Sequence, residues 1–425
     1  MKRIFFILLL ILLFFTSCSI EENKARAGES FVTYIDSEGK DIAVQVTLPK
    51  EPRYTNAPVI IPVSTFFTPK EPTFDKEFTQ STELGFVHIT YLWPGKSDPS
   101  GAKSEGVYDY GGEDSLKALR DVIRFASGDI PNTNGKYIQD LSEISIDTEN
   151  LGLYAFSHPG IAATNVLALY ADELDVDYFV GRENPTSDTL YALELGYWDE
   201  NNHPVYNPFY SYPKDYSPTI ISIDYSTVQW DAKSEAPYFD ANENKKLDVV
   251  EYVLSDKHPN MFGKLFYSRA LLKALEENNA FESIERPENL ATPELAEELW
   301  DFRETVFNYD KIKKDIHVML VFAERDHVQA VKDKPNTHQG YDGFSSNNIW
   351  IRLNPDDVYA SSMDASLSTP DNDANTEPED WLEIESWAHT NKAPASKMIP
   401  LAAIAEMADR VHTNNWDENL DELLI

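Results

Sequence analysis

The chain has 425 residues, of which 42% are hydrophobic, enough for one large core or for two. Its 72 acidic residues outnumber its 36 Lys and Arg, a formal net charge of −36 at pH 7. This balance argues against nucleic acid, whose phosphates need basic partners, and against docking on anionic lipid through protein charge.

In chain order, Lys2 and Arg3 precede an apolar run from Ile4 to Phe15, and small residues lead on to Cys18. This is the layout of a secretory signal, too short for a comfortable transmembrane helix. The stretch Phe15-Thr16-Ser17-Cys18 resembles a bacterial lipobox, with Phe15 where that motif prefers Leu. The resemblance implies a signal peptide over 1–17 and a lipid on Cys18. Membrane contact is then made only through that anchor, in the cell envelope, facing periplasm or exterior. The plainer alternative is a cleaved signal with an incidental cysteine. Cys18 is the single cysteine, so no internal disulfide forms, and core packing or a bound metal must supply stability outside the cell. Residues 18–29 are polar and read as a tether.

From Ser30, two strands flank Ser-Glu-Gly-Lys, a hairpin signal. APVIIPVSTFF and GFVHITYLWPG are short buried-strand patterns, and residues 114–126 carry apolar side chains at helical spacing. LGLYAF reads as a strand, IAATNVLALYADEL as a helix, and DVDYFVG as a strand. Far downstream, DIHVMLVFAERD and NNIWIRLNP are strands, and MIPLAAIAEMADRVH reads as an amphipathic helix. Alternating strands and helices predict an α/β fold, a mostly parallel, doubly wound sheet. The core is expected over 30–195 and 311–425. Residues 196–310, rich in Tyr, Pro, Asn and acids, read as an inserted cap over the sheet's carboxyl edge. The crowded aromatics of 191–218 either line a substrate site or pack this loop-rich segment.

In open parallel sheets, ligands bind at the carboxyl ends of strands. YAFSHPG, residues 154–160, lies at such an end, between a strand and a helix. A sharp turn there exposes the Ser157 hydroxyl, and small residues are needed where strand and helix approach. Ala155 and Pro159 stand where Gly-x-Ser-x-Gly has glycines, with Gly160 one place later. Proline costs little at the start of a helix, where its missing N–H has no intrahelical partner. The N–H that faces an oxyanion belongs to His158. A serine nucleophile needs a base, and the base needs an orienting acid. Asp326 stands at the tip of a buried-strand pattern, and His389 in a loop before the last helix. Ser157 as a helix N-cap, Glu324 or Asp315 as the acid, and His338 or His412 as the base remain the alternatives. His412 falls on the last helix and reads as a surface residue.

Several segments together resemble the α/β-hydrolases, closest to the dienelactone-hydrolase and prolyl-oligopeptidase-like group. They are TELGFVHITYLWPG, YGGEDSLKALRDVIRFA, LGLYAFSHPG and VMLVFAERDHV. The resemblance implies that Ser157 is the nucleophile, His389 the general base and then acid, and Asp326 the orienting acid. It implies oxyanion donors at the His158 backbone N–H and at Thr65 or Phe66. It implies ester or amide hydrolysis through an acyl-serine, on a small-molecule or peptide substrate. The elbow departs from the family pattern at both glycines, so a cell-surface binding protein without turnover is the rival expectation.

A second motif lies in the cap. With Asp240 first in a twelve-residue loop, oxygen side chains fall at positions one, three, five, nine and twelve: Asp240, Asn242, Asn244, Asp248 and Glu251. Lys246 would lend its carbonyl at position seven. This is the pattern of an EF-hand loop for Ca²⁺. Lys245 replaces the usual glycine, and the preceding APYF is a poor helix, so the expectation is a structural calcium loop lacking its first helix. The plainer alternative is an Asn-rich surface turn.

Overall fold

The computed structural model describes residues 24–64, 79–109, 111–184, 305–323, 349–354 and 395–416. It also describes positions 74, 186, 197–198, 204–205, 228–231, 236–240, 243–246, 260–261, 264–265, 276, 279, 282, 340, 343–344 and 347. Among the described residues, eight strands form one sheet: β1 Ser30–Ser37, β2 Lys40–Thr47, β3 Ala57–Pro62, β4 Val87–Tyr91, β5 Ile146–Phe156, β6 Tyr178–Arg182, β7 His317–Ala323 and β8 Ile349–Asn354. Their order is β1-β2-β4-β3-β5-β6-β7-β8. β1 pairs antiparallel with β2, and β2 antiparallel with β4. Every other pairing is parallel.

The apolar runs explain which strands sit in the middle. All six residues of β3 and all five of β4 and of β6 are buried. Strands covered on both faces lose the alternation seen in half-solvated ones. Each large aliphatic side chain buried this way contributes about 1.5–3 kcal/mol. β5 begins earlier than its apolar part suggests. Its polar opening pairs through Ala57↔Ile146 and Pro58↔Asp147, and an irregularity between Pro58 and Val59 resets the register to Val59↔Leu151.

One face carries α1 Glu113–Ala126 and α2 Pro159–Leu169, packed on Val59, Ile61, Leu151, Leu153 and Phe179. The other carries α3 Ala395–Thr413, packed on Ile60, Tyr154, Val180, Met319 and Val321. α1 starts on Asp109, whose carboxylate accepts the N–H groups of Gly112, Asp114 and Ser115. Those donors have no partner within the helix.

α3 departs from the sequence expectation. An amphipathic helix should show a wet face, yet every residue from 401 to 410 is buried. Its charges are paired inside instead. Glu406 Oε1 accepts Arg410 Nη2 at 2.9 Å with both side chains fully buried. Asp409 accepts Arg53 Nε and Nη2, each at 2.7 Å, and the Tyr54 hydroxyl. His412 is exposed, with its ring stacked 3.8 Å from Tyr54. Among the described residues, no helix is long and apolar enough to cross a membrane.

Candidate active site

β5 ends at Phe156, and α2 begins three residues later at Pro159. The chain reverses within two residues, and Ser157 takes φ +59° to do so. An L-residue other than Gly, Asn or Asp is uncommon in that region and pays about 1 kcal/mol for it. Three backbone bonds hold the turn. The Ser157 N–H donates to Arg182 O at 2.7 Å, Gly160 N–H to Ser157 O at 2.9 Å, and Ile161 N–H to His158 O at 3.0 Å. His158 is the helix N-cap, with no side-chain capping bond, and Pro159 is the first helical residue. Ser157 is half-buried and stands outside the helix, so the capping alternative does not describe it.

The His158 ring is fully buried, while its backbone N–H stands at the positive end of α2. The Ser64 hydroxyl, at the same sheet edge beyond β3, donates to Tyr91 O at 3.0 Å, and its carbonyl accepts the Trp93 indole at 3.2 Å. These bonds fix the backbone at Ser64; Thr65 and Phe66, the next two residues, lie outside the described residues. Asp326 and His389, with the alternatives Glu324 and His338, lie outside them too. β7 carries the chain to Ala323 at this edge, one strand beyond β6.

Three neighbours were not singled out from sequence: Arg182, Glu183 and Asn184. In the β5–β6 register Phe156 faces Arg182, so Glu183 is level with Ser157. Glu183 is 6% exposed, has φ +49°, and donates its N–H to Val321 O at 3.1 Å. Two adjacent strands therefore end in left-handed residues at the same height. The buried Arg182 guanidinium lies 4.5 Å over the Phe156 ring. The Asn184 side-chain amide reaches the carbonyls of Ala155, Ser157 and Arg182 at 3.1, 2.9 and 3.1 Å. The available signal was a polar Arg-Glu-Asn cluster directly after an apolar strand.

One perturbed carboxylate of this region is at the wrong end to take part. Asp177 precedes β6, at its amino edge, and burial pushes it up to about 6.

In the second motif, Ala236–Phe239 is a strand paired with Val228–Asp231. Asp240 is buried, and its carboxylate accepts the N–H groups of Asn244 at 3.0 Å and Lys245 at 2.9 Å. Asn244 Oδ1 accepts the Lys246 N–H at 2.7 Å. Lys245 has φ +58°, the conformation that glycine usually supplies at that position. Asn242, Asp248 and Glu251 lie outside the described residues, as does Cys18. Among the described residues, no three His, Cys, Asp or Glu side chains stand close enough to hold a metal.

The strand order decides the architecture: β1 to β8 with β2 reversed, helices on both faces, and a serine at the turn after β5. The fold is that of the α/β-hydrolases. No protein-family model and no curated protein sequence matches the chain. Solved structures do resemble it. An acylaminoacyl peptidase of Pyrococcus horikoshii is 12% identical with a TM-score of 0.39, over 80% of this chain and 39% of that one. A hyperthermophilic esterase from the archaeon Pyrobaculum calidifontis is 11% identical with a TM-score of 0.39, over 93% of this chain and 88% of that one. A fungal esterase of Rhizomucor miehei is 10% identical with a TM-score of 0.42, over the same shares. This α/β-hydrolase-fold chain spans about two fifths of the length of the acylaminoacyl peptidase.

Proposed function

We propose that the chain is a lipid-anchored serine hydrolase of the cell envelope, cleaving an ester or amide through an acyl-serine. The observation that supports this reading is Ser157 itself: a half-buried serine in the left-handed conformation between a central strand and a helix. Strain of this kind persists where the surroundings enforce it, and it gathers at functional turns. In the proposed mechanism His389 takes the hydroxyl proton as Oγ attacks the substrate carbonyl, then returns it to the leaving group. Asp326 orients the imidazole. The His158 N–H, with a second N–H from Thr65 or Phe66, stabilises the oxyanion.

Glu183 is the rival for the orienting acid, since it is a buried carboxylate level with Ser157. Substrate is proposed as a small molecule or peptide, selected by residues 196–310. Calcium is proposed as a structural ion of the loop that begins at Asp240. The left-handed Lys245 and the inward-turned Asp240 carboxylate suit such a loop.

A serine-directed fluorophosphonate is the test. We expect covalent labelling that Ser157→Ala abolishes, that His389→Ala slows by about a thousandfold or more, and that p-nitrophenyl esters or peptidyl amides compete away. Asp326→Asn and Glu183→Gln then separate the two acids by which one slows labelling. A folded protein that resists the probe would favour a binding protein on a hydrolase scaffold.

A further inference from the structure

We infer that Asn184 is a positioning residue that holds Ser157 in its reactive conformation, an inference that rests on the serine-hydrolase reading above. Ser157 occupies a backbone conformation that its own chemistry disfavours, so something outside the turn must hold it there. The described contacts of Asn184 supply that restraint. Its amide nitrogen is within 3.1 Å of three carbonyls, one before the serine, one on it, and one on the facing strand. An amide has two N–H groups, so at least one is shared between acceptors. The same facing carbonyl, Arg182 O, also accepts the Ser157 N–H. Asn184 thus ties the end of β5, the turn and the end of β6 into one unit.

The amide's orientation follows from chemistry. Reversed, its oxygen would face three carbonyl oxygens with no hydrogen between them. Two glycines are explained by its bulk. A Cβ on Gly160 would stand 2.3 Å from Asn184 Cγ, and one on Gly181 would stand 2.2 Å from its Oδ1. The glycine that the elbow sequence carries one place late, at 160, is therefore the one that makes room for this amide.

The experiment measures fluorophosphonate labelling rate per folded molecule, as a function of pH, beside thermal melting. Asn184→Asp places an oxygen where the amide donates, and Asn184→Ala removes the donor. We expect the plateau rate to fall about tenfold or more in each, with the pH midpoint unchanged because the base is untouched. A residue that only stabilised the fold would lower the melting temperature and leave the rate of the folded protein alone. Should either variant fail to fold, Gly160→Ala carries the test. It should slow labelling by displacing Asn184, and because a Cβ on Gly160 would also stand 2.5 Å from Asn184 Cβ, the double variant Gly160→Ala with Asn184→Gly should be no slower than Asn184→Gly alone. Wild-type rates in the folded variants would overturn the inference while Ser157 labelling stood. Absence of Ser157-dependent labelling in the wild type would overturn the hydrolase reading and this inference together.

Discussion

Ser157 and His88 each carry a measurable cost. If the left-handed turn costs about 1 kcal/mol, glycine relieves it and alanine does not. Ser157→Gly should therefore be more stable than Ser157→Ala by about that amount in urea denaturation, both lacking the hydroxyl. Equal stabilities would mean that φ +59° is not strained here. His88 is fully buried, with Nδ1 2.9 Å from Ser81 Oγ, and burial lowers its pKa from 6.5 to about 4. The unfolded chain binds the proton first, so stability is full above pH 6.5 and falls as pH drops toward 4, by on the order of 3 kcal/mol. Asp177 acts in the opposite sense. Held up at about 6, it binds its proton more readily in the folded chain, so stability rises as pH falls from 6 toward 3.8. We expect His88→Gln to flatten the acid-side loss and Asp177→Asn to steepen it, read from melting temperature against pH. An unaltered profile in His88→Gln would place the titration elsewhere. None of this was legible in the sequence. Histidine 88 sits in an ordinary-looking strand, and its burial comes from elements on both sides.

Among the elements, the strands were the most legible, because continuous apolar runs such as APVIIP have few other uses in a soluble fold. The serine turn was legible for the same reason, as a polar interruption between two such runs. Helix α3 was misread in its surroundings, since Glu406, Asp409 and Arg410 look like a solvated face until their partners are known. Arg53 lies 356 positions from Asp409, and no local pattern joins them. The bidentate pair is nearly dry, with side-chain exposures of 14% and 1%. Asp409→Ala should cost about 3–5 kcal/mol, because it strands a buried guanidinium without its carboxylate. A loss below about 1 kcal/mol in denaturant would mean that solvent reaches the pair. Glu183 and Asn184 were missed on similar grounds, for Glu183 bonds Val321 on β7 and Asn184 bonds Ala155 and Ser157, contacts that no local pattern announces.

At the scale of the molecule, the net charge of −36 sets a background of self-repulsion that bound cations relieve. If the loop from Asp240 holds Ca²⁺, a chelator should lower the melting temperature and Glu251→Ala should remove that sensitivity. An unchanged melt would count against the ion. The distribution of the core along the chain has its own outcome. One face of β5 to β7 is covered by a helix drawn from the last tenth of the sequence, and Asn150 Nδ2 reaches Ala408 O at 2.9 Å across 258 positions. Until that helix arrives, Ile60, Tyr154, Val180 and Met319 form an open greasy plate on a half-built sheet. Such plates stick to one another. A nascent chain still lacking its C-terminal stretch would need a chaperone's shelter, and premature stop codons there should yield inclusion bodies in place of a trimmed, folded protein.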